Sequence, residues 1–195
     1  SAASDVYKRQ ILITPDSERT MCTFLGTAGK INENDIDVDV VKNSEITFLE
    51  GYLWDEGDPK KAFNKAIKNS NKVAMSLSDL FCVERHKTHF LDLLKNKIDI
   101  TFANEQEICS LINSNNFQEV IEFGKQTGKI IIVTRGEKGS VAIFNNEVYE
   151  CGSKKNLKIL LRLEGSMLFY LKWQEPLCLV MVLNGSILGK GKKQI

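Results

Sequence analysis

Between Ile46 and Tyr149, short apolar runs alternate with stretches of helical periodicity, and this alternation constrains the fold of the 195-residue chain more than any other feature. Ile46–Leu49, Val73–Leu77, Ile98–Phe102 and Ile130–Val133 are bounded and apolar, as buried strands are. Pro59 opens a helix in which Ala62, Phe63, Ala66 and Ile67 recur at 3.6 spacing, proline costing nothing at the first helical position. Glu84–Lys95 collects Phe90, Leu91 and Leu94 on one face, and Glu105–Ile112 collects Ile108, Leu111 and Ile112. Phe117–Gln126 does the same with Val120, Ile121 and Phe123, and Gly128 follows as its stop. Val141–Phe144 and Glu147–Tyr149, joined by Asn145-Asn146, read as a hairpin. A second hairpin joins Ile11–Ile13 to Thr20–Leu25 through the turn at Thr14-Pro15-Asp16-Ser17. Strands and helices in this order predict the α/β class, with a doubly wound, mostly parallel sheet flanked by helices.

The chain has room for one well-packed domain. With 43% hydrophobic and 26% charged residues it is not a disordered polymer. A net charge of +1 supplies no field that would recruit nucleic acid or an anionic membrane. Five scattered cysteines without C-x-x-C spacing suit reduced cytoplasmic thiols. Ser1–Gln10 contains no apolar core of a signal peptide, and Pro176–Leu188 is too short to span a bilayer. The sequence leaves the oligomeric state open. It also changes character near Cys151: residues 151–195 carry eight Lys/Arg against two acids and none of the ten aspartates.

In a parallel sheet, ligands gather at the carboxyl ends of the strands. That directs attention to Glu50-Gly51, Ser78-Asp79, Asn104–Glu107 and Thr134–Gly139. A carboxylate in a helix's first turn, such as Glu107, can hold a hydrated Mg²⁺, and the Asn104 amide can meet a phosphate oxygen. The same two residues at spacing three also make a helix cap, and spacing alone favours the cap. In Thr134-Arg135-Gly136-Glu137-Lys138-Gly139, the glycines let N–H groups close around an anion, or they serve a hairpin turn at positive φ. Two such loops without a nucleophile suit phosphoryl transfer, which depends on positioning and charge neutralisation.

Taken in order, Thr14–Gly26, Phe48–Asp55, Ser76–Cys82, Phe102–Glu107 and Val133–Gly139 resemble the PfkB carbohydrate kinase family, also called ribokinase-like. The similarity is greatest to its bacterial adenosine-kinase-like branch, and it spans about three quarters of the chain. The resemblance implies an ATP- and Mg²⁺-dependent kinase acting on a primary hydroxyl of a sugar or nucleoside, with adenosine favoured. It assigns Asn104 and Glu107 to an N-x-x-E motif serving Mg²⁺ and the phosphates, and Thr134, Gly136 and Gly139 to the nucleotide loop. Glu50 falls at a strand end near the acceptor, or is simply a solvated loop acid.

The family's G-A-G-D motif has no counterpart here. Where it is due, Leu160–Phe169 offers glycine and serine but no aspartate. The resemblance therefore implies an incomplete ribokinase-like fold with a remnant of the β lid. Residues 1–10 are expected to be a non-family leader, 11–150 a partial kinase domain, and 151–195 an aberrant tail of possible frameshift origin. No catalytic residue is assigned, and an inactive fragment is expected, because general acid–base help contributes about 10²–10⁴ in rate. A non-catalytic nucleotide-binding or regulatory module is the alternative. A Rossmann-type binder is disfavoured, because no G-x-G-x-x-G follows the first strand. His86 and His89 read as a solvated helix face, Cys82 as a buried thiol, and Lys190, Lys192 and Lys193 as a weak basic tail.

Overall fold

The computed structural model describes residues 8–15, 19–24, 26–55 and 59–152, together with three later strands whose backbone alone is considered. Expectations for residues 1–7, for the side chains of 160–169 and for the lysines at 190, 192 and 193 lie outside the described residues.

Strands β1 (Lys8–Ile13) and β2 (Arg19–Phe24) form the first predicted hairpin, which begins at Lys8 rather than Ile11. Helix α1 (Val38–Asn43), capped by the Asp37 side chain, was not predicted. It buries none of its residues, so no apolar period announces it. Strand β3 (Thr47–Glu50) runs into a 3₁₀ turn over Gly51–Asp55, and helix α2 (Pro59–Asn69) opens at the proline, as expected. Next come β4 (Val73–Ser76), α3 (Leu80–Asn96), β5 (Ile100–Asn104), α4 (Glu105–Ile112) and α5 (Phe117–Thr127). Then β6 (Ile130–Thr134), β7 (Ser140–Phe144) and β8 (Glu147–Cys151) complete the described body.

Helix α3 starts four residues before the predicted Glu84, because Asp79 caps it through a 2.8 Å bond from the Cys82 N–H. The extra turn carries Phe81 into solvent, which interrupts the apolar face, and the helix kinks at His86. The boundaries of α4 are as predicted. Gly128, in the left-handed conformation, ends α5, and Asn145-Asn146 turns β7 into β8 with positive φ at both residues.

The six strands lie in chain order, β3-β4-β5-β6-β7-β8. The first four are parallel and the last two antiparallel, giving the mostly parallel sheet with flanking helices that the alternation requires. Successive strand residues face opposite sides, so two apolar clusters form. Met75, Ala103, Ile131 and Val133 join Phe63, Phe90, Ile108, Leu111 and Val120 from α2–α5 in the larger one. Ala74, Ile100, Phe102, Ile132 and Ala142 form the other. Each such side chain contributes about 1.5–3 kcal/mol by leaving water, enough to fix which way every strand faces. Strands β9 (Lys158–Leu163), β10 (Met167–Lys172) and β11 (Val180–Leu183) make a separate antiparallel sheet ordered β11-β10-β9.

Candidate functional site at the carboxyl edge of the sheet

The hydrogen-bond register aligns the strand tips that the sequence singles out. Glu50 is opposite Ser76, Ser76 is opposite Phe102, and two residues further along β5 Asn104 is opposite Thr134. The two loops read as anion- and metal-binding therefore spring from adjoining positions on neighbouring strands. Glu50 stands on the same edge, two strands away from Asn104.

Asn104 and Glu107 form the reciprocal cap that their spacing allows. Asn104 Oδ1 accepts from the Glu107 N–H at 2.8 Å, and the Glu107 carboxylate accepts from the Asn104 backbone N–H at 2.8 Å and from its Nδ2 at 2.7 Å. Glu107 is only 5% exposed. Burial holds its carboxyl above the ordinary range; the bond from the Asn104 backbone opposes this and the charge of Asp79 reinforces it. Capping and ligand binding are compatible here, since each carboxylate oxygen keeps a second lone pair. Among the described residues no three His, Cys, Asp or Glu side chains gather into a protein cage for a metal. One buried carboxylate without a cage fits Mg²⁺, which keeps most of its water and uses one or two carboxylates together with substrate phosphates.

The turn after β6 is built on its glycines. Gly136 has φ +55° and Gly139 has φ +89°, conformations an L side chain resists. Arg135 N–H donates to the Gly139 carbonyl, Lys138 N–H to Arg135 and Gly139 N–H to Gly136, so the turn is closed on itself. Among the described residues the N–H groups of Gly136 and Glu137 take no part in that closure. The hairpin-turn geometry is thus real, and it leaves two consecutive amides for an anion.

Arg135, to which the sequence gives no role, joins the two loops. Its Nε and a terminal nitrogen reach the two carboxylate oxygens of Glu105 at 3.1 and 3.0 Å, and its guanidinium lies 3.6 Å above the centre of the Phe117 ring. Lys138 adds a longer contact to Glu105 at 3.5 Å. The Arg135 hydrogen bond, helped by both positive charges against some burial, pulls the Glu105 carboxyl below its ordinary range.

The other half of the edge is held differently. The Tyr52 hydroxyl donates to Glu50 and fixes the carboxylate on which the acceptor expectation rests. Gly51 approaches β4 so closely that a Cβ would stand 2.9 Å from the carbonyl oxygens of Ser76 and Leu77. Ser78 adopts φ +74°, and the Asp79 N–H bonds back to Leu77 across it at 3.0 Å. That is the hydrogen bond of a γ-turn whose central φ is the costly one.

Sequence reasoning named the loops holding Asp79, Glu105 and Arg135 but not the roles of these residues, and it gave Tyr52 none. Only Asp79 had a legible signal, an Asp followed by an apolar run. The helix face read as solvated is partly packed, His86 lying against Phe90 and the exposed His89 against Trp54, while Cys82 is 1% exposed, as a buried thiol should be. Among the described residues the four cysteines form no disulfide, and no described helix is long and apolar enough to cross a membrane.

Comparison with known proteins supplies the frame for this edge. No curated protein matches the chain. Among solved structures, adenosine kinase from Sinorhizobium meliloti is similar at 36% identity with a TM-score of 0.72, over 76% of this chain and 47% of that one. A probable sugar kinase protein from Rhizobium etli CFN 42 is similar at 35% with a TM-score of 0.71, over 77% and 47%. A ribokinase II candidate from E. coli, solved with ATP and Mg²⁺, shares the fold at 16% identity, with a TM-score of 0.63 over 77% and 52%. The chain thus spans about half the length of these relatives. The family model "pfkB family carbohydrate kinase" matches residues 8–157, and the chain belongs to that family.

Proposed function

We propose that the carboxyl edge is the nucleotide and metal half of an ATP-dependent kinase site whose acceptor is a hydroxyl of a sugar or nucleoside. The observation that carries this reading is the Asn104–Thr134 register pair, which brings both phosphate-directed loops to one place. In this reading Thr134, Gly136 and Gly139 form the loop around the nucleotide phosphates, Asn104 meets a phosphate oxygen, and Glu107 holds Mg²⁺ through its water. MgATP, when bound, supplies the phosphoryl group. The residues present position that group and neutralise its charge, and Glu50, steadied by Tyr52, faces the acceptor side. Adenosine is the favoured acceptor, supported by the 36% identity to an adenosine kinase, with a sugar such as ribose or fructose next. A small-molecule partner, neither nucleic acid nor membrane, and a cytoplasmic setting accompany this assignment.

A second reading has its own support. Residues 151–195 contain no aspartate, so no G-A-G-D base lies within them. On that ground the 195-residue chain binds MgATP without turnover, as an inactive kinase fragment or a non-catalytic nucleotide-binding module. Titration calorimetry with MgATP, paired with a phosphorylation assay on adenosine and a sugar panel, separates the possibilities. Binding with turnover supports an active kinase, binding without turnover supports an inactive kinase fragment or a non-catalytic module, and no binding defeats both readings. Replacing Glu107 with Gln is expected to raise the Mg²⁺ needed for ATP binding; an unchanged requirement removes Glu107 from the metal.

A further inference from the structure

We propose that Glu105, Arg135 and Phe117 are positioning residues that clamp the Gly136–Gly139 turn into its phosphate-ready shape before any nucleotide arrives. The inference rests on reading that turn as the nucleotide loop.

A turn with glycines at two of four positions has more backbone freedom to lose than one without them, so something must order it if it is to bind without a large entropic penalty. The turn's three internal hydrogen bonds close it, and the pairing of Thr134 with Ser140 ties its two ends to the sheet. Arg135, the residue before Gly136, adds a side-chain attachment to the helices beside it. Its planar fork meets both oxygens of Glu105, a geometry that restricts rotation as well as distance. The Phe117 ring closes off one face of the same guanidinium at 3.6 Å. The side chains of Arg135 and Glu105 are 17% and 27% exposed, so the pair is sheltered from much of the screening that weakens surface pairs. Glu105 and Phe117 are the first residues of α4 and α5, so three elements meet at one guanidinium. The arrangement also withholds charge. Arg135, at the entrance to the turn, is committed to Glu105, with Lys138 of the turn 3.5 Å from the same carboxylate, and the contribution of Arg135 to phosphate binding is therefore geometric.

That last point separates a clamp from a reserve phosphate ligand. If Arg135 were waiting to bind phosphate, releasing it by Glu105→Gln would tighten MgATP binding. If it is a clamp, the same change loosens the turn and weakens binding. The test uses the 195-residue chain and its Glu105→Gln, Arg135→Lys and Phe117→Leu variants, with amide hydrogen exchange over residues 134–139 and affinities for MgATP and AMP. Each variant is expected to exchange faster in the turn and to bind MgATP about five- to tenfold more weakly, while AMP, which carries a single phosphate, changes less than about twofold. Arg135→Lys keeps the charge yet loses the fork and most of the stack, so it should fall with the others. Unchanged exchange in all three variants, tighter MgATP binding by Glu105→Gln, or equal losses for AMP and ATP would each overturn the clamp. If the unsubstituted chain binds no MgATP, the nucleotide-loop reading fails by itself, and exchange in the three variants still decides whether the clamp orders the turn.

Discussion

The two halves of the carboxyl edge are held by different physics. On the β5–β6 half, polar side chains do the holding: Asn104 and Glu107 cap each other, and Arg135 forks onto Glu105. On the β3–β4 half the backbone does most of it, through the close approach of Gly51 to β4 and the positive φ of Ser78, with the Tyr52–Glu50 bond beside them. Charged contacts respond to pH and salt, whereas a steric approach responds to volume. An edge assembled from both has one side that solution conditions loosen more readily than the other.

The largest effect is expected from Gly51→Ala. The added carbon meets two carbonyl oxygens that belong to the sheet and cannot swing aside, at a cost of about 2–3 kcal/mol in urea denaturation followed by circular dichroism. A loss under about 0.5 kcal/mol would show that the steric half yields as readily as the polar one. Asn104→Ala comes next. It removes both side-chain bonds of the cap and leaves buried Glu107 with only the backbone N–H of residue 104 as donor, for about 1–2 kcal/mol in the same assay.

The two glutamates of the polar half should respond to pH with opposite signs, measured in EDTA. Burial raises the Glu107 pKa above its ordinary 4.5, so the folded state holds that proton more tightly than the unfolded one. Its contribution to stability therefore declines as pH rises from 4.5 through the raised value and is flat above it. The Arg135 bond lowers the Glu105 pKa below 4.5, so its contribution is present above 4.5 and is lost as pH falls through the folded value. Glu107→Gln should erase the decline on the alkaline side and Glu105→Gln the loss on the acid side. Identical pH profiles for the two variants would dissolve the distinction. The smallest effect is Ser78→Gly, which relieves the positive φ and should stabilise by about 0.5–1 kcal/mol; a destabilised variant would mean that the hydroxyl, not the backbone, holds that turn.

The polar half was the more legible of the two in the sequence. Asn104 and Glu107 sit at capping-box spacing, and the paired glycines of Thr134–Gly139 announce a turn, because both signals lie within a few consecutive residues. The steric half was nearly silent. Gly51 looks like any loop glycine until β4 is laid beside it, and a serine at positive φ has no compositional mark. Helix α1 went unseen because it buries nothing, and in the first turn of α3 the outward Phe81 beside buried Cys82 and Val83 blurs the apolar period.

Local order was therefore written in the chain itself: which segments are strands or helices, where α4 and α5 begin, where α5 stops, and which turns need glycine or asparagine. These depend on backbone preferences and periodic burial within one element, and a short window of residues contains them. Pairings across the chain were decided by the tertiary structure alone. Asn104 finds Thr134, and Glu105 finds Arg135, each across thirty residues, because the buried faces of β5 and β6 admit one register and the helices that follow are carried with it. Apolar periodicity says that a strand has a buried side; only packing selects its neighbour, and with that neighbour the residues that meet at its tip.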